Sequence, residues 1–171
     1  LDLDKPIIAA INGACVAGGF ELALACDFMI TANHAQFFLS EATLGLTVDI
    51  GTIPRLMQRL PQQVALEMLY TGRRLSAAEA EQMGLVLRSI PAADLMPAAR
   101  ELAGRIVASA PLSVAALKQM VQIAGAMSAE EAYAARDQGR RTGQERVHGS
   151  ADALEGPRAF MEKRPPVWKG C

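Results

Sequence analysis

The stretch that decides the fold runs Pro6-Ile7-Ile8-Ala9-Ala10-Ile11-Asn12-Gly13, then Ala14-Cys15-Val16-Ala17, then Gly18-Gly19-Phe20-Glu21-Leu22-Ala23-Leu24-Ala25-Cys26-Asp27. Residues 6–11 are apolar, short, and bounded by a proline and an Asn-Gly pair, which is the pattern of a fully buried strand. Two glycines before the run 20–25 mark a tight turn into a helix N-terminus. Residues 28–32 read as a second strand and 35–39 as a third. Near-continuous apolar strands divided by a helix open a βαβ-type layer, so the fold class is α/β.

Working outward, the rest of the chain is mostly helical. A helix is expected over 51–60 and another over 61–70, the latter stopped by Thr71-Gly72. Ser76-Ala77-Ala78-Glu79 is a capping box that opens a short helix ending at Gly84. Residues 85–90 read as a strand stopped by Pro91. Three helices follow over 92–109, 111–127 and 128–147, with Ser128-Ala129-Glu130-Glu131 as a second capping box. A last helix covers 150–163, interrupted or restarted near Gly156-Pro157. This divides the chain into an α/β part, 1–90, and a helical part, 91–171.

Composition narrows the function classes. The chain has 171 residues, 51% hydrophobic and 20% charged, enough apolar surface to offset chain entropy and exclude disorder. A net charge of -1 argues against a dedicated nucleic-acid or anionic-membrane binder. No apolar run reaches the ~20 residues needed to cross a bilayer, and no signal peptide is visible, so a cytoplasmic location is expected. Aromatic residues make up only 5%, which favours close-packed helices over a β-sandwich. Cys15, Cys26 and Cys171 form no CxxC or zinc spacing and read as buried or incidental thiols. His34 and His148 lie in polar segments and read as surface residues; without a GxSxG elbow, a serine–histidine relay is excluded. Acid–base chemistry must then rest on carboxylates, and no metal site is expected.

Four positions are candidates for that chemistry. Gly18-Gly19 opens a helix whose first N–H groups are unpaired, so it is either a packing turn or a cradle for an oxyanion or phosphate. Glu21 lies one turn further, in an almost wholly apolar helix; it is either solvated or half-buried and placed for proton transfer. Glu41 follows the third strand directly, at a strand end where α/β folds carry function, or else it is an exposed loop residue. Asp49 is either the cap of the next helix or a third carboxylate around the same backbone turn. Asp27 reads as structural, tying backbone donors at its turn. The run 136–146, with Arg140-Arg141 and Arg146, reads as a solvated helix face, with an anionic contact as the alternative.

These residues form a recognisable string. Residues 5–13 and 17–27 resemble the enoyl-CoA hydratase/isomerase family, the crotonase superfamily. The likeness continues through Ala35-Gln36-Phe37, Glu41, residues 71–80, Gly84-Leu85-Val86 and Phe160-Met161-Glu162-Lys163-Arg164-Pro165. The resemblance implies a spiral of ββα turns followed by trimerisation helices, commonly stacked as a dimer of trimers. It implies an acyl-CoA thioester as substrate, with coenzyme A part of that substrate and no separate cofactor. Gly18 matches one of two N–H donors to the thioester oxygen. The other lies on an earlier loop of the family, within an N-terminal third that this chain is expected to lack. Gly19, Phe38 and Leu44 fall on the substrate-binding surface.

The carboxylates divide the family. In hydratases two glutamates hold a water, and Glu21 and Glu41 match both. In dienoyl-CoA isomerases a glutamate and a later aspartate shuttle a proton, and Glu41 and Asp49 match that pair. Residues 44–46 and 49–52 resemble the isomerase loop, and Ser40 stands where hydratases usually have proline. Isomerases tend to have aspartate where this chain has Glu21. Ala17 replaces a glycine common to both groups, a change that is tolerated unless the backbone there has positive φ. The sequence therefore favours a Δ3,5-Δ2,4-dienoyl-CoA isomerase-like enzyme with Asp49 as base at the α-carbon and Glu41 protonating the distal carbon. The alternatives are an enoyl-CoA hydratase using Glu21 and Glu41, and a truncated, non-catalytic assembly module.

Overall fold

Residues Ile8–Ile11 (β1) and Ala14–Val16 (β2) are two short strands joined by the Asn12-Gly13 turn, and they belong to different sheets. The computed structural model describes residues 3–125, 127–137 and 143–171. After β2 the chain enters the helix Gly18–Leu24 (α1) and returns as Phe28–Ala32 (β3) and Gln36–Phe38 (β4). β3 lies parallel to β1, Ile8 opposite Phe28 and Ile11 opposite Thr31. β4 lies parallel to β2, Val16 opposite Phe38. Each ββα step thus adds one strand to each of two sheets. Leu75–Ser76 (β5) closes one sheet antiparallel to β4, and Arg88–Ile90 (β6) extends the other parallel to β3.

The core between these layers explains the pattern of the deciding stretch. Phe20 and Leu24, four residues apart on α1, are fully buried, as are Phe37 and Leu39. The Phe20 and Phe37 rings meet at 5.6 Å and 58°. Each such side chain contributes about 1.5–3 kcal/mol by leaving water. Leu56 of the helix Thr52–Arg59 (α2) and Met68 of Gln62–Thr71 (α3) complete the cluster. α3 ends on Gly72 at φ +70, where a Cβ would sit 3.1 Å from Thr43 Cγ2. Glycine there lets α3 approach the 3-10 turn Ala42–Leu44 closely. The helix Ala77–Gln82 (α4) opens on the expected capping box: Ser76 Oγ accepts from Glu79 N–H, and Glu79 Oε2 accepts from Ser76 N–H at 2.8 Å.

The helices Leu95–Val107 (α5), Pro111–Ala124 (α6), Ala129–Asp137 (α7), Gln144–His148 (α8) and Asp152–Met161 (α9) follow. The helix expected over 128–147 is two pieces; Gly143 is left-handed at φ +70 and stands just before α8. The interruption expected near Gly156-Pro157 is absent, because α9 runs through Pro157. Residues 14–17 carry no strand or helix periodicity in the sequence, yet 14–16 form a strand. The chain divides into two compact units: Ile7–Leu102, and Ala103–Cys171 together with the segment up to Pro6. In the second unit the tail is tied to α9. Asp152 accepts from the Lys169 and Gly170 N–H groups, and Glu155 takes a two-pronged bond from Arg164.

Smaller expectations hold. Cys15 and Cys26 are buried thiols in no disulfide, and burial first, then Cys26 nearby, pushes the Cys15 thiol up to about 11. His34 and His148 are exposed. Asp27 Oδ2 accepts from the Ile7 N–H at 2.6 Å, a structural tie. Arg146 is exposed on α8, while Arg140 and Arg141 lie outside the described residues. Among the described residues no single helix is long and apolar enough to cross a membrane.

Candidate active site

All the candidate residues belong to the first unit. The chain leaves β2 through Ala17, whose N–H donates to Phe38 O at 3.3 Å. Ala17 has φ 50 and ψ -129, a region that alanine rarely adopts. Its carbonyl accepts from both the Phe20 and Glu21 N–H groups at 2.9 Å, so it points along α1. The peptide is trans, so the Gly18 N–H points the opposite way, out of the helix N-terminus. Nothing lies within 4 Å of a Cβ built on Gly18 or Gly19. Among the described residues no acceptor pairs with the Gly18 N–H, and the absence of crowding where a side chain would stand lets a ligand approach this backbone closely, as an oxyanion cradle requires.

Glu21 sits one turn along, half-buried beside Phe20. Its Oε1 accepts from the Asp49 N–H at 3.0 Å and from the Thr52 hydroxyl at 2.9 Å. Thr52 is 2% exposed and opens α2. The structure thus brings Glu21 and the Asp49 segment together, but through the Asp49 backbone rather than its carboxylate. The Asp49 carboxylate is exposed, and its Oδ1 accepts from the Gly51 N–H at 2.9 Å. It closes the turn before α2, whose cap is Gly51, so Asp49 is not itself the helix cap that the sequence offered as its alternative.

Glu41 leads into the 3-10 turn Ala42–Leu44. Its carbonyl accepts from the Leu44 and Leu46 N–H groups, which fixes the backbone at the strand end. Its Oε2 is buried, and no donor among the described residues reaches it. A buried carboxylate oxygen is costly unless a donor meets it, so Glu41 Oε2 is an acceptor suited to a ligand or a water. Phe38 is half-buried in β4, with the Arg74 guanidinium 4.6 Å above its ring. Leu44 is 68% exposed on the loop between Glu41 and Asp49.

Sequence reading missed Thr52 and Arg74. Thr52 stands at the end of the 49–52 stretch that resembles the isomerase loop, but nothing there gave it a role of its own; its burial comes from α2 packing near α1. Arg74 stands opposite Phe38 where the antiparallel β4–β5 ladder is continued by one residue, a pairing that only the fold reveals.

Comparison with known proteins is consistent with this geometry. Residues 1–171 match the family model described as enoyl-CoA hydratase/isomerase. The chain is 51% identical over 169 residues to the carnitinyl-CoA dehydratase of Salmonella typhi, covering 99% of this chain and 65% of that relative. It superposes on the enoyl-CoA hydratase of Bacillus anthracis with a TM-score of 0.91 at 38% identity, covering 99% of this chain and 64% of that one. It superposes on the enoyl-CoA hydratase of Mycobacterium tuberculosis H37Rv with a TM-score of 0.89 at 36% identity, covering 98% and 65%.

Proposed function

The chain belongs to the enoyl-CoA hydratase/isomerase family and has its crotonase-type ββα core, and from that premise we propose that its site adds water to, or removes it from, the 2,3-bond of an acyl-CoA thioester. The observation that carries this reading is the buried, unpartnered Oε2 of Glu41. Glu21 supports it, because two donors occupy its Oε1 and leave Oε2 for a ligand. A water held by the two carboxylates attacks C3 as one carboxylate takes its proton. The electron pair of the double bond moves toward the thioester oxygen, where the Gly18 N–H stabilises the enolate charge. The other glutamate, which starts as the neutral acid, delivers its proton to C2 and ends ionised, and dehydration runs the same steps in reverse. Coenzyme A enters as part of the substrate, and the reaction as written needs no other cofactor. The 51% identity to a relative named a dehydratase favours the same direction of reading.

The isomerase reading has one observation in its favour: the Asp49 backbone is bonded to Glu21, so an aspartate stands beside the site. The Gly51 N–H engages its Oδ1 only, so the preference for the glutamate pair rests on the buried Glu41 oxygen and on the relative named a dehydratase. A trimer or a dimer of trimers is part of the proposal, supported by exposed Leu117, Val121, Phe160 and Met161 in the helical unit. The test compares Asp49→Asn with Glu21→Gln on 2-enoyl-CoA and 3,5-dienoyl-CoA. Loss of a proton-carrying group costs about 10²–10⁴-fold, so Glu21→Gln should lose hydration by that factor and Asp49→Asn should keep it. The opposite pattern, with double-bond migration lost in Asp49→Asn and no hydration by the parent, overturns the reading.

A further inference from the structure

We propose that Thr52 is a positioning residue for Glu21, holding the carboxylate by one oxygen so that the other is left to the reacting water; this rests on the hydration reading above. A buried hydroxyl must find a partner, and the 2% exposed Thr52 finds Glu21 Oε1 at 2.9 Å. The hydroxyl donates to Glu21 on α1 and not to a carbonyl of its own helix. The same Glu21 oxygen accepts from the Asp49 N–H at 3.0 Å. The two donors come from one segment whose shape is closed on itself. Asp49 Oδ1 accepts from Gly51 N–H, Asp49 O accepts from Thr52 N–H, and Gly51 O accepts from Arg55 Nη1, each at 2.9 Å.

A glutamate terminal torsion is broad and roughly two-fold, so an untethered carboxylate would sample both oxygens. Two donors on one oxygen remove that freedom and fix the carboxylate plane before substrate arrives. Preorganisation of this kind acts on the rate of the chemical step more than on ground-state binding. It also gives the exposed Asp49 loop a function that needs no chemistry from the Asp49 carboxylate.

The test uses Thr52→Val, which keeps the shape and removes the hydroxyl, and Thr52→Ser, which restores it. With 2-enoyl-CoA, Thr52→Val should lower kcat about 10- to 100-fold with KM within about a factor of two, and Thr52→Ser should recover most of the rate. An unchanged kcat, a loss carried by KM, or a serine variant no better than valine overturns the proposal. A second measurement is independent of turnover. Glu21→Ala removes the acceptor, so the Asp49 amide should exchange with solvent at least about ten times faster; unchanged exchange also overturns the proposal. If the parent hydrates nothing while the Asp49 amide responds as stated, the hydration reading fails and the grip on Glu21 stands.

Discussion

Ala17 shows most directly how one residue links backbone physics to the site. At φ 50 and ψ -129 its Cβ crowds the chain in a way glycine avoids, at a cost of about 1–3 kcal/mol. Three hydrogen bonds hold it there, one from its own N–H to Phe38 and two to its carbonyl from Phe20 and Glu21. What this secures is the outward direction of the Gly18 N–H. Ala17→Gly should therefore raise stability by about 1 kcal/mol, after allowing for the extra freedom glycine has in the unfolded chain. Denaturant titration reads this as a higher midpoint at an unchanged slope; a lower midpoint would show that Ala17 is not strained. The resemblance flagged this position as one where glycine is common, but the sign of φ is a property of the turn and not of the residue. Glu21, Glu41 and Gly18 could be named as candidates from the sequence because each stands in a motif of the family it resembles; their type and spacing alone left structural alternatives open. The role of Thr52 was not legible, although it ends the 49–52 stretch, because a threonine hydroxyl becomes informative only once the fold has buried it against a partner.

At the scale of elements, what the sequence made readable was local chemistry. The Ser76 capping box is formed as expected because every contact lies within four residues. The strand β2 escaped notice because three residues carry no periodicity, and its pairing with β4 comes from 22 positions away. The helix α9 survives Pro157 for a tertiary reason. The Trp168 ring lies 3.4 Å from where a Gly156 Cβ would be, so the returning tail packs on that helix. Two carboxylates hold such elements together in ways that titrate. Glu79 is pulled down to about 2 by the Ser76 hydroxyl and N–H, with Arg73 adding to it. Glu155 is pulled down to about 2 by Arg164 and then by the Val167 N–H. Both sit below the ordinary value of 4.5. Their stabilisation is therefore complete above about pH 4.5 and is lost as pH falls toward 2. Thermal unfolding between those limits should show a steeper loss in the parent than in Glu155→Gln; parallel curves would mean the tail latch contributes nothing.

At the scale of the whole molecule the chain forms two compact units that divide after Leu102, twelve residues beyond the boundary expected from the order of elements, and the candidate residues are gathered in the first. The chain spans 65% of the length of the curated relative it matches, so activity is a claim about how this site works within the protein that carries it. The central claim is that Glu21 and Glu41 together move water across the 2,3-bond of an acyl-CoA. It is tested most directly by incubating 2-enoyl-CoA with the protein in ¹⁸O-water and following the C3 oxygen by mass spectrometry. The account predicts 3-hydroxyacyl-CoA carrying one ¹⁸O, with formation lost on Glu21→Gln and on Glu41→Gln alike. A product that is isomeric with the substrate and carries no ¹⁸O, or label uptake that survives both substitutions, would contradict it.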